Sequence, residues 1–248
     1  MSKVMLITGA SRGIGAATAR LAAAEGYALC LNFNHRQDAA QSLLEELKST
    51  GVRAIAVAAD VSDETQVAGL FAAIDDEFGR LDVLVNNAGM LEHQMRLDEM
   101  DAARLARVFA VNVTGSFLCA RQAVKRMSTL YGGNGGVIVN VSSIAAKLGA
   151  PNEYIDYAAA KGAIDSMTLG LAKEVAAEGI RVNAVRPGVI DTEIHASGGE
   201  PGRVERVKAS VPMGRGGHAE EVAEAILWLA SDKASYTSGA LLDVSGGR

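Results

Sequence analysis

Cysteine is scarce in this chain: two in 248 residues, Cys30 and Cys119. Each lies in an apolar run, "YALCLNF" and "GSFLCAR", and neither has a CxxC partner. A disulfide framework and a cysteine metal site are excluded, and both thiols are expected in the core as small hydrophobes. Long apolar runs are lacking as well. No stretch approaches the roughly 18 residues of a membrane helix, and the opening run is too short for a signal peptide. The expected location is the cytoplasm. Charge of one sign is not concentrated anywhere. The net charge of −5 is spread along the chain and leaves no electrostatic footprint for nucleic acid or an anionic membrane. His93, His195 and His218 scatter without HExxH or other ligand spacing, so no metal is expected. No proline- or serine-rich linker, internal repeat or low-complexity tract divides the chain.

What is there alternates. "KVMLITG", "ALCLNF", "RAIAVAADV", "LDVLVNNAG", "GVIVNVSS", "GIRVNAVRPG" and "GALLDVSGG" are short and rich in strand-forming residues. Longer stretches of helical period separate most of them. The strand runs are continuously apolar, as expected for strands buried on both faces of a parallel sheet. Repeated strand–helix–strand units with right-handed crossovers predict one doubly wound α/β domain over residues 1–248. Two segments stand out: "STLYGGNGG" (128–136), a predicted surface turn, and residues 193–217, long, polar and glycine-marked, the expected substrate lid.

"TGASRGIG" (8–15) follows the first strand and opens the first helix. Gly9, Gly13 and Gly15 permit a tight turn and close backbone approach, while Ser11, Arg12 and Ile14 fill the turn between them. The free N–H groups of the helix N-terminus then suit a pyrophosphate. Further on, "YAAAK" places Tyr157 and Lys161 one helical turn apart, on one face.

The Gly-x3-Gly-x-Gly spacing resembles the short-chain dehydrogenase/reductase family, and the resemblance runs from residue 4 to the C-terminus. "AADV" (Asp60, Val61), "NNAG" (Asn87, Ala88, Gly89), "VNVTGSF" (Asn112), "VNVSS" (Ser142, Ser143), "YAAAK" and "RPGVIDT" (Pro187, Gly188, Ile190, Thr192) follow in order. The resemblance implies a Rossmann fold and a carbonyl–alcohol oxidoreductase. Asp60 and Val61 would flank the adenine, Asn87 to Gly89 would line the cofactor, and Ile190 and Thr192 would hold the nicotinamide carboxamide. At the end of the second strand, Phe33 stands where NAD-binding members usually carry Asp. Asn34, His35 and Arg36 follow, and Arg12 is a second cation. NADP(H) is therefore expected over NAD(H). Asp38 is read as a helix N-cap.

The resemblance also assigns the chemistry. Tyr157 exchanges a proton with the substrate oxygen, and Lys161 lowers its pKa and reaches the nicotinamide ribose. Ser143 stabilises the developing charge. The interval of 14 to Tyr157 leaves Ser142 as its alternative, and Ser143 is preferred as nearer the strand end. Asn112 holds a water in a proton relay. Tyr154, seven residues before Lys161, is the rival tyrosine. Arg186 receives no role. Substrate preference lies between sugar-dehydrogenase-like members (glucose 1-dehydrogenase-like activity) and reducers of 3-oxoacyl groups on acyl carrier protein. For the second, Arg121, Lys125 and Arg126 would form the docking patch. A cofactor-binding regulator without chemistry is the remote alternative. Small-residue helices and the C-terminal segment imply a homotetramer.

Overall fold

The computed structural model describes residues 2–248. Seven strands form one sheet: β1 (Val4–Ile7), β2 (Ala28–Phe33), β3 (Ala54–Ala58), β4 (Val83–Asn86), β5 (Gly136–Val141), β6 (Ile180–Pro187) and β7 (Leu241–Val244). Their order is β3-β2-β1-β4-β5-β6-β7, and every pairing is parallel. This is a Rossmann-like α/β fold. The strand order reverses between β1 and β4, which opens a crevice at the carboxyl ends of those strands.

The helices lie on both faces. α1 (Gly13–Ala24), α2 (Gln37–Ser49) and α10 (Ala219–Ala230) cover one, packing Leu21, Leu43, Leu47 and Ile226 against Met5, Ile7, Leu29 and Leu31. α3 (Glu64–Phe78), α5 (Gly115–Met127) and α7 (Ile155–Glu174) cover the other, with Leu70, Phe71, Cys119, Met127 and Ile164 against Leu6, Cys30, Leu84 and Ile138. Both cysteines are buried and free, as small core hydrophobes. α3 starts where the Asp63 carboxylate accepts the N–H groups of Thr65 and Gln66, and stops at Gly79, whose φ of +69° suits glycine.

Strand interiors also carry buried asparagines that an apolar reading passes over. Asn86 on β4 donates to Asn140 on its neighbour β5 at 3.0 Å, and Asn140 donates to Thr168 of α7 at 2.9 Å. This chain of hydrogen bonds ties α7 to the sheet centre in one register, because each buried amide needs its partner.

Residues 193–217 differ from the expected long loop. They contain α8 (Ile194–Ser197), α9 (Arg203–Val207) and a tight 3₁₀ turn at Lys208–Ser210. The remaining helices are α4 (Ala102–Phe109), which runs through a π-helical turn (Ala110–Thr114) into α5, and α6 (Ala145–Leu148) after β5.

Candidate active site

The glycine turn is built for close approach. Gly9 and Gly13 have φ of +62° and +53°, which side chains disfavour. A Cβ at Gly15 would sit 2.6 Å from both Asn87 Nδ2 and the Gly9 carbonyl oxygen. Asn87 braces the turn by donating to the carbonyl oxygens of Thr8 (2.8 Å) and Gly9 (3.0 Å). Thr8 Oγ1 accepts the N–H groups of Asn87 and Ala88. α1 has no side-chain cap, and its first helical bond is Ala16 N–H to the Arg12 carbonyl. The N–H groups of Gly13, Ile14 and Gly15 are therefore free of the helix ladder and suit an anion.

From this turn a groove of about 580 Å³ runs past Ser11, Arg12, Asn34, His35 and Arg36 to Asp60, Val61, Ala88 and Gly89. No carboxylate stands at Phe33, and the two guanidiniums of Arg12 and Arg36 line the same groove. Arg12 also donates to Ser197 of α8 at 3.0 Å. Asp38 is not the N-cap of α2. Arg36 holds that position without a side-chain bond, and Asp38 lies in the first turn, 3.4 Å from the Arg36 guanidinium. Asp60 accepts the N–H and hydroxyl of Ser62. Thr192 packs over the turn, 3.3 Å from where a Cβ of Gly13 would be. Pro187 ends β6, Gly188 lies against Ser245, and Ile190 bridges to Gly217.

Ile14, Asn87, Gly89 and Thr192 also line a second cavity of about 620 Å³, so the two spaces run together. This cavity holds Ser143, Tyr157 and Lys161. Lys161 Nζ lies 5.4 Å from the centroid of the Tyr157 ring and donates to the Val141 carbonyl at 2.8 Å. Ser142 turns its hydroxyl into α7, onto the Lys161 carbonyl at 3.1 Å. Ser143 stands beside the Tyr157 hydroxyl and accepts the Ala145 N–H at 3.1 Å. Asn112 is buried in the π-helical turn, a local geometry common at functional sites. Its carboxamide is engaged: Oδ1 accepts Met90 N–H, and Nδ2 donates to the carbonyls of Met90 and Val108. A Cβ on Gly89 would fall 2.9 Å from Asn112 Oδ1 and 3.6 Å from Lys161 Nζ, so only glycine fits between them.

The electrostatics depart from the expectation. Burial pushes the Tyr157 hydroxyl up to about 12, while the Ser143 hydroxyl and the Arg203 charge pull it down. Burial likewise drops Lys161 to about 8, with Asp165 acting to raise it. Burial is the largest influence on both groups, because it disfavours the charged form of each. In the free protein, Tyr157 is a neutral proton donor.

Several contacts were not readable from spacing. Arg104 of α4 and Asp156, the residue before Tyr157, form an ion pair at 2.7 Å with side chains 4% and 1% exposed. Arg104 also donates to the His93 carbonyl at 2.6 Å, and Asp156 accepts the Tyr157 N–H at 2.9 Å. The pair thus clamps the start of α7 to α4 and to the segment after β4. Arg186, given no role from sequence, donates twice to Asp165, one turn beyond Lys161, at 2.8 and 3.0 Å. Tyr154 turns its hydroxyl to the Gly198 carbonyl at 3.3 Å, which anchors the end of α8. His195 is buried there. Its Nε2 bonds the Ile190 carbonyl at 2.9 Å, and its Nδ1 has no partner. On α5, Arg121 and Arg126 pair with Glu64 and Asp75 of α3.

Comparison with known proteins agrees with this geometry. The family model described as Enoyl-(Acyl carrier protein) reductase matches residues 9–248. An uncharacterized oxidoreductase, YgfF of Escherichia coli (strain K12), is 57% identical over 99% of both chains. Cis-4-hydroxycyclohexanecarboxylate dehydrogenase of Sinomonas cyclohexanicum is 45% identical over 99% of this chain and 96% of its own. Among solved structures, 3-ketoacyl-(acyl-carrier-protein) reductase from Brucella melitensis, complexed with NADH, superposes with a TM-score of 0.91 at 34% identity, covering 99% and 98% of the two chains. A short chain dehydrogenase from Burkholderia cenocepacia J2315 in complex with NADP gives 0.91 at 30% identity, covering 99% and 97%. The chain belongs to the short-chain dehydrogenase/reductase family. It is an oxidoreductase of the type that acts on CH–OH groups, and a nicotinamide dinucleotide is its cofactor.

Proposed function

We propose that the protein is an NADP(H)-dependent oxidoreductase that interconverts a carbonyl and a secondary alcohol, with Tyr157 as the general acid and base. The observation that carries this reading is the convergence of Tyr157, Ser143 and Lys161 on one cavity that opens into the glycine-turn groove. When bound, the nicotinamide supplies or accepts the hydride. The chain's own residues handle the oxygen. The Tyr157 hydroxyl gives its proton to the alkoxide as charge forms there, and its raised pKa keeps that proton in place at neutral pH. The Ser143 hydroxyl donates to the same oxygen and stabilises its charge. Lys161, fixed by the Val141 carbonyl, returns the proton to the phenol, and Asn112 borders that path beside Gly89.

The phosphate preference rests on Arg12 and Arg36, whose guanidiniums suit a 2′-phosphate, and on the missing carboxylate at Phe33. Comparing kcat/KM with NADPH and NADH tests it, and a clear NADH preference refutes it. Asn34, His35, Asp60, Val61, Ile190 and Thr192 complete the proposed cofactor contacts. Residues 193–217 act as the lid, tied to both halves of the cleft through Arg12–Ser197 and Tyr154–Gly198.

Reduction of 3-oxoacyl groups on a carrier protein is the weaker reading. Two of its three proposed docking cations, Arg121 and Arg126, are occupied by α3 carboxylates. We infer a homotetramer located in the cytoplasm; the exposed apolar side chains of Phe117 on α5 and Leu169 on α7 support the assembly. Light scattering that finds a monomer at micromolar concentration would refute the assembly.

A further inference from the structure

The far wall of the catalytic cavity carries two arginines of α9 in unequal states. Arg206 has its Nε–Nη2 edge occupied. It bonds both oxygens of Glu200 and donates to Glu153 at 2.7 Å. Glu200 spends a further lone pair on Gln94. Arg203 has one close partner. Its Nη1 is buried and ion-pairs with Glu153 Oε2 at 2.5 Å, with Glu200 Oε2 at 3.8 Å, although neither contact has the geometry of a hydrogen bond. Among the described residues its Nε–Nη2 edge has no protein acceptor. That edge is the side-on fork a carboxylate takes in two parallel bonds. Stacking on Tyr154, 5.0 Å from the ring centroid, fixes the plane of the guanidinium, and its side chain is 12% exposed. Arg203 lines the same cavity as Tyr157.

We propose that Arg203 is the anchor for a carboxylate on the substrate, so that the enzyme acts on small keto and hydroxy acids whose charge is remote from the reacting carbon. This deepens the oxidoreductase reading and rests on it. The carbonyl oxygen sits at Tyr157 and Ser143 while the carboxylate meets Arg203 across the cavity. The remaining wall suits the carbon frame between them, with Leu91, Ile144, Leu148 and Val207 all lining it. Two further observations agree. Arg203 shares the cavity lining with Tyr157 and His195, and its charge acts on the titration of both, behind the larger influence of burial. Glu200 is committed mainly to Arg206 and Glu153 is shared by the two arginines, so the Arg203 ion pair engages Nη1 and leaves its Nε–Nη2 edge as the surplus donor edge. Lysine in place of arginine would keep the charge but lose the fork.

The test compares 4-oxocyclohexanecarboxylate with its neutral carboxamide, for the wild type, Arg203→Gln and Arg203→Lys, with NADPH and NADH both supplied. The wild type is expected to prefer the acid in kcat/KM by about 10- to 100-fold, the worth of a charge-assisted hydrogen-bonded pair. In Arg203→Gln the ratio collapses to within about threefold of one, and Arg203→Lys lies between. Calorimetric titration of the keto acid onto protein loaded with NADP⁺, which has no hydride to give, reads the same order without turnover, and circular dichroism confirms that each variant is folded. Equal handling of acid and amide by the wild type overturns the proposal, as does acid binding unaltered by Arg203→Gln. If neither ketone is reduced, the reaction reading fails for this ring, and calorimetry still decides the anchor. Acid binding lost in Arg203→Gln upholds it, and no acid binding to the wild type overturns it.

Discussion

Replacing Lys161 with methionine separates what the site costs from what it does. The Lys161 side chain is 4% exposed, and burial brings its pKa from 10.5 to about 8. An unfolded chain holds the proton up to the higher value, and the folded chain releases it at the lower. Between them unfolding takes up a proton, so stability rises with pH across that window. At 1.36 kcal/mol per unit, the whole window is worth about 3 kcal/mol, of which about 2 kcal/mol is recovered between about pH 7 and about pH 9.5. Tyr157 does not intrude. Its pKa is raised, so its own effect has the opposite sign and begins only above the ordinary tyrosine value of 10. Loss of the bond to the Val141 carbonyl costs about 1–3 kcal/mol, and this offset is the same at every pH. Asp165 keeps Arg186, so no second charge is stranded. The assay is urea unfolding of both proteins without dinucleotide, across that pH range. The wild type is expected to gain about 2 kcal/mol relative to Lys161→Met. Curves that run parallel across the range would refute the reasoning.

Asp156→Ala should destabilise the fold by about 3–5 kcal/mol, because Arg104 is left buried without its counter-charge. The double variant Arg104→Met, Asp156→Leu should recover most of that loss, and denaturant midpoints measure both. Arg36→Ala should weaken NADPH binding about 10-fold and leave NADH within about twofold, since one charge-assisted contact to the 2′-phosphate is removed. Nucleotide fluorescence titration reads this directly.

The glycine turn, the strand–helix alternation and the Tyr157–Lys161 pair were legible in the sequence because each depends on residues close together in the chain. Spacing of three or four fixes a helix face, and a continuous apolar run fixes a doubly covered strand. What escaped depends on distant parts of the chain meeting. Arg104 finds Asp156 across 52 residues, and Arg186 finds Asp165 across 21. Neither shows as more than a solvated charge in sequence. Asn86, Asn140 and Asn183 sit in strands that read as apolar, and their partners on α7 and in the turn before β7 become visible only in the fold. Residues 193–217 stood out by length and polarity, but their helices did not, since α8 and α9 span only four and five residues. The raised pKa of Tyr157 was not legible for a different reason. Spacing reports a neighbouring ammonium, but the burial that raises the phenol is a property of the packed pocket.

The role of Tyr157 is tested most directly by Tyr157→Phe beside Tyr154→Phe, with turnover of a keto acid and NADPH binding measured on both. Loss of the proton donor should lower kcat by about 10²–10⁴-fold with NADPH affinity retained, whereas Tyr154→Phe, which loses only the bond to the Gly198 carbonyl, should fall far less. Tyr157→Phe turning over at the wild-type rate would contradict the account.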